Sequence, residues 1–100
     1  MAEEQKKKDD NVIFVGTKPF MNYITGIAMQ FTVKNSNEVI IKARGKFITK
    51  AVNLAEVIRK KYLKDRNINL KDIKIGSEEL ENKDGKKTNV STIEITLMKN

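Results

Sequence analysis

Three stretches of this 100-residue chain place cations beside glycine or turn-forming residues: Gly16-Thr17-Lys18-Pro19, Lys42-Ala43-Arg44-Gly45-Lys46, and the run from Lys83 to Lys87. Ammonium and guanidinium groups on turns can reach successive phosphates of a nucleic acid, and a neighbouring glycine lets the main chain approach and offer its own N–H groups. A single turn lysine is equally consistent with plain solvation. What distinguishes a binding surface is several such residues at one end of a fold. Asn22 and Tyr23 follow the first basic loop and bring an amide and a ring able to meet a base or sugar; core packing is the alternative for a helical tyrosine. Tyr62 has the same two readings, core or interface.

The competing chemistry is metal-dependent. Asp65, Asp72, Glu78, Glu79 and Glu81 are the carboxylates that would have to gather a Mg²⁺ for nuclease work. Glu78, Glu79 and Glu81 fall on a predicted strand whose successive side chains face opposite ways, so their spacing argues against a shared ion. The chain has no histidine and no cysteine, which excludes disulfides, thiolate and imidazole metal sites, and nucleophiles that need an imidazole base. The expectation is a protein that is not an enzyme and uses no cofactor or small-molecule substrate.

Charge points the same way. Lys and Arg total 20 against 13 Asp and Glu, a formal charge of +7, with a sequence pI of about 9.7. Three lysines and four acids fall in Met1 to Asp10, which leaves 17 basic against 9 acidic residues from Asn11 onward, or +8. The positive charge thus belongs to the part expected to fold, and its natural partner is a polyanion. Residues 1–10 carry no large apolar side chain after Met1 and read as a charged, disordered tail. Residues 11–100 read as one domain. No apolar run approaches the ~20 residues that span a bilayer, so the expectation is a soluble, cytoplasmic protein without a membrane partner.

The elements that must position these residues follow from periodicity. Val12 to Val15 is a compact apolar run suited to a strand buried on both faces. Pro19 suits a helix start, and Phe20, Ile24, Ile27 and Phe31 recur at helical spacing until Asn35-Ser36-Asn37. Val39 to Ile41 begins a second strand that ends in the basic run. Ile48, Ala51, Val52, Ala55, Ile58 and Tyr62 trace a second helix, with Lys50, Asn53, Arg59, Lys60 and Lys64 on its opposite side. Ile73 and Ile75 begin a third strand, and Val90 to Met98 forms a fourth with Ile93, Ile95 and Leu97 on one face. Asn82 to Lys87 supplies the turn between them. The predicted fold is α+β with order βαβαββ: a two-layer sandwich of two helices on a mixed four-stranded sheet, with a protruding basic hairpin between the last two strands. If the first two strands are parallel neighbours, Lys18, Lys42, Arg44 and Lys46 share one face.

Three blocks carry a resemblance. Gly16 to Tyr23 (GTKPFMNY), Ile41 to Lys46 with Ile48 to Val52 (IKARGK and ITKAV), and Val90 to Ile95 (VSTIEI) resemble, in order and spacing, motifs of the archaeal Alba chromatin proteins. The resemblance implies a homodimer that coats or compacts double-stranded DNA without sequence preference and also binds RNA, associated with the chromosome. It implies phosphate contacts from Lys18, Lys42, Arg44 and Lys46, assistance from Asn22 and Tyr23, and an arm carrying Lys83, Lys86 and Lys87 into the minor groove. It places the dimer contact on the second helix and last strands, and Tyr62 between dimers. A role centred on RNA, as a chaperone or a subunit of an RNA-processing particle, is the alternative. Thr17 stands where many relatives carry a first loop lysine, and Asn89 where an arginine is common.

Overall fold

Two helical stripes and four runs of alternating or continuous apolar residues can hide their faces only against one another, and they do so as two layers. The computed structural model describes residues 11–100; the tail expected over residues 1–10 lies outside that range. The elements are β1 (Val12–Phe14), α1 (Phe20–Thr32), β2 (Glu38–Arg44), α2 (Ile48–Val57), β3 (Ile68–Glu81) and β4 (Lys87–Lys99). The sheet order is β1-β2-β4-β3, with β1 parallel to β2 and the other pairs antiparallel. The α+β, βαβαββ architecture predicted from periodicity is the one observed.

Alternation decides the buried side of the sheet. Val39, Ile41 and Ala43 of β2 and Ile93, Ile95 and Leu97 of β4 point to the helices and are buried. Against them α1 lays Tyr23, Ile24, Ile27 and Phe31, spaced three and four apart, and α2 lays Ala51, Leu54 and Ala55. Ile58 closes the core in a wide π turn, Ile58–Tyr62, that ends the second helix. The opposite sheet face carries Ile40, Lys42, Arg44, Thr92 and Glu94, none of them fully buried.

Four expectations are corrected. β1 is not buried on both faces: among the described residues it is an edge strand paired only with β2, the helices cover one side of it, and Phe14 is 70% exposed. In α2 the core position between Ala51 and Ile58 is taken by Leu54, while Val52 and Tyr62 are substantially exposed. Lys50, expected on the solvent side of this helix, is half-buried against the Gly16 loop. Finally β3 starts at Ile68 rather than Ile73, because Asn67 adopts a left-handed φ of 53° and turns the chain so that Ile68 pairs with Lys99. A register shift between Leu70 and Asp72 interrupts the alternation there and hides the strand from a periodicity reading.

Candidate nucleic-acid interface

Topology gathers the basic residues. Because β1 and β2 are parallel neighbours, the Gly16–Pro19 loop and the turn at Gly45–Phe47 leave the sheet at the same end. β3 is antiparallel to β4 and therefore runs with β2. Beyond the row Arg44, Thr92, Gly76 its ladder continues through five further pairs, Ser77 with Ser91 to Glu81 with Lys87. At ~3.4 Å per residue that carries the hairpin tip about 17 Å past the body. All three basic stretches thus lie at one end of the molecule.

The first loop is held by two side chains. Tyr23 is 8% exposed, and its hydroxyl accepts from the Gly16 N–H at 2.8 Å and the Lys18 N–H at 3.3 Å. The Lys50 ammonium donates to the carbonyls of Gly16 and Lys18 at 2.7 and 2.6 Å and sits 4.9 Å from the centroid of the Tyr23 ring. Four main-chain groups of the loop are thereby satisfied, and the Lys18 side chain is presented to solvent. Tyr23 matches its packing alternative: a ring so enclosed has no free face for a base. Lys50 escaped the sequence reading because its acceptors lie 32 and 34 residues away in the chain.

Asn22 is exposed and shares with Lys18, Phe14 and Thr25 a cleft of about 550 Å³. A second cleft, of about 570 Å³, is lined by Lys42, Arg44, Lys46, Phe47, Glu78 and Glu94, with Phe14 again at its border. Lys42 is half-buried, opposite Glu94 on β4, with its ammonium 5.7 Å from the Phe14 ring centroid. Lys46 lies 5.3 Å from the Phe47 ring, a weak cation–π contact at an exposed site. Arg44 donates through Nε to Glu78 of β3 at 3.1 Å, with both side chains about half exposed.

The arm is organised by its turn. Asn82 Oδ1 accepts from the N–H groups of Asp84 and Lys86 at 3.0 and 2.9 Å, and Gly85 takes the φ of 80° that closes the loop. Lys83 and Lys86 are exposed at the tip, and Lys87 lies 3.6 Å from Glu79. Glu78 and Glu79 therefore counter cations of the basic end. Among the described residues no three metal-ligating side chains come together, so Asp65, Asp72 and the hairpin acids build no Mg²⁺ site. Tyr62 lies on the π turn after α2, 45% exposed, with its hydroxyl 3.5 Å from Sδ of Met21 in the first turn of α1.

Comparison with known proteins bears on this geometry. A family model described as Alba matches residues 11–77. The chain is 43% identical over 90 residues to the DNA/RNA-binding protein Alba of Methanococcus maripaludis, covering 90% of this chain and 99% of that protein. It is 49% identical over 89 residues to the DNA/RNA-binding protein Alba of Methanocella arvoryzae, covering 89% of this chain and 90% of the relative. The solved structure of Alba from Thermoplasma volcanium superposes with a TM-score of 0.79 at 46% identity, over 87% of this chain and 98% of the other.

Proposed function

The chain belongs to the Alba family, and we propose from that premise that it binds double-stranded DNA and RNA without regard to sequence and coats or compacts them as a homodimer. It is a binding protein and not an enzyme. The observation that carries the reading is the parallel pairing of β1 with β2, which brings Lys18, Lys42, Arg44 and Lys46 to the end of the sheet from which the Lys83–Lys87 arm projects. The relatives' names, DNA/RNA-binding protein, support the same ligand class.

The mechanism is counterion release. Each cation that meets a phosphate frees a condensed ion, so affinity falls with salt and base edges are not read. With roughly 6 to 8 contacts per dimer, log K against log salt on B-DNA has a slope of about −5 to −7. A fluorescence-anisotropy titration across salt concentrations tests this, and a flat response would overturn it. Equal treatment of unrelated sequences by Lys18→Ala with Arg44→Glu is the companion expectation; loss on one sequence alone would mean direct readout.

An apolar strip supports pairing of two copies. Ile73 and Ile75 lie on the helix side of β3 beyond the cover of the helices, 50% and 82% exposed, and Ile75 shares a shallow cleft with Ile48 of α2. Val52, one helical turn on from Ile48, is 41% exposed. Exposed branched apolar residues in a row are what a symmetric contact removes from water. Ile75→Glu is therefore expected to give monomers in sedimentation equilibrium. The Tyr62 and Met21 pair is the corresponding candidate for contact between dimers along DNA. In the cell this reading places the protein on the chromosome. An RNA-centred role is separated from it by cross-linking and identifying which nucleic acid is recovered.

A further inference from the structure

Phe14 is the most exposed aromatic ring in the described part of the molecule, and phosphate contacts do not explain it. It stands on the uncovered face of the sheet, at the edge strand, where both clefts meet. One cleft runs from it towards Lys18 and Asn22. The other runs towards Lys42, Arg44 and Lys46. The Lys42 ammonium, 5.7 Å from the ring centroid, leaves most of the ring open.

We propose that Phe14 is a stacking platform for one unpaired nucleobase of single-stranded RNA or DNA, with the flanking phosphates held by Lys18 on one side and by Lys42 and Lys46 on the other. The inference rests on the nucleic-acid-binding reading above and adds a second mode to it. An aromatic ring on an open sheet face, bordered by cations, is the arrangement by which single strands are gripped, because every base has a π-face and every linkage a charge. A duplex cannot use it, since its base faces are already stacked on one another. Glu94 and Glu78 line the second cleft beside these cations, and their carboxylates can accept hydrogen bonds from the exocyclic amine of the stacked base while Lys42 and Lys46 hold its phosphate.

A second copy of the chain is the competing occupant. It suits the site poorly, because it would bring another strongly positive surface, of formal charge +7, against Lys18, Lys42 and Lys46. The apolar patch is also a single ring on a three-residue strand. The Ile73 and Ile75 strip offers more apolar surface for such a contact.

The test uses the full chain, an RNA of about ten nucleotides containing 2-aminopurine, and a DNA duplex of the same length. Phe14→Leu keeps an apolar side chain at an exposed position and removes no charge. It is expected to weaken single-strand binding by roughly 5- to 150-fold, to abolish the change in 2-aminopurine fluorescence, and to change duplex affinity less than about twofold. Phe14→Trp should restore single-strand binding. The chain has no other tryptophan, so base stacking should quench its emission. Repeating the titration with single-stranded DNA shows whether ribose matters; stacking alone predicts quenching by both. Unchanged single-strand affinity in Phe14→Leu, or equal loss on single strand and duplex, would overturn the proposal while leaving duplex binding intact. Tryptophan emission that shifts with protein concentration alone would assign the site to a second copy. Failure of the unaltered protein to bind either nucleic acid would instead overturn the proposed function.

Discussion

The loop at Gly16–Lys18 and the arm at Lys83–Lys87 present the same functional group by opposite means. In the loop, Tyr23 and Lys50 engage both carbonyls and both N–H groups of Gly16 and Lys18, so the backbone behind Lys18 is set before any ligand arrives. In the arm, every residue of β3 after Ile68 is exposed, and the ladder to β4, the Asn82 turn and exposed ion pairs such as Glu78 with Arg44 give it shape. A preorganised site loses little freedom on binding, whereas an arm with few tertiary contacts can bend to the groove it meets. The lesson is that one body of fixed geometry and one adaptable extension can serve duplexes of different shape.

The sharpest way to break this contrast is through stability. Phe31→Ala, at a residue 1% exposed beneath the body, is expected to cost ~3–5 kcal/mol in urea unfolding, and Lys86→Ala at the arm tip to stay within about 0.5 kcal/mol. A comparable loss at the tip would mean the arm is part of the cooperative unit. Next in size, Lys50→Met should cost ~1.5–3 kcal/mol, since it removes two charge-assisted hydrogen bonds that tie α2 to the loop. Faster amide exchange at Gly16 and Lys18 would accompany it, and Tyr23→Phe should produce a smaller version of the same change. If Lys50→Met altered nucleic-acid binding with no effect on exchange, Lys50 would be a ligand contact rather than a brace.

A third measurement addresses the arm's contribution to affinity. Joint replacement of Lys83, Lys86 and Lys87 by alanine should weaken duplex binding roughly tenfold and flatten the salt slope by about 1 for each lysine that meets a phosphate, with the midpoint of thermal unfolding unmoved. An unchanged slope would remove the arm from the interface. The smallest effect concerns the link between the two regions. Glu78 on the arm's inner stretch holds Arg44 of the body through an exposed ion pair. Glu78→Gln frees that guanidinium for phosphate and should tighten binding at low salt by roughly 1.5- to 5-fold, an advantage that fades as salt screens the pair. Weaker binding would mean that Glu78 orients Arg44 productively.

Much of the fold was legible in the residues. Phe20, Ile24, Ile27 and Phe31 announced α1, and Ile93, Ile95 and Leu97 the buried face of β4, because a helix or strand with one wet side writes its period into the sequence. The Lys42 to Lys46 and Lys83 to Lys87 runs were visible for the same local reason, as were the turn residues around Gly85. The start of β3 was not, since the bulge after Leu70 breaks the alternation. Nor was the choice of Leu54 over Val52 for the core, because the two lie about 200° apart on opposite flanks of the stripe through Ala51, Ala55 and Ile58, and only the position of the sheet selects between them.

Composition, charge, periodicity and turn chemistry are written in the linear chain, and they carry the α+β class and the cations available for phosphate. Folding was needed to make Lys50 brace a loop more than thirty residues earlier, to bring Arg44 to Glu78, and to enclose Tyr23 while leaving Phe14 open. Exposure and pairing belong to what lies across the sheet or over the strand, and those neighbours are brought close by strand order and crossover, which no local run of residues records.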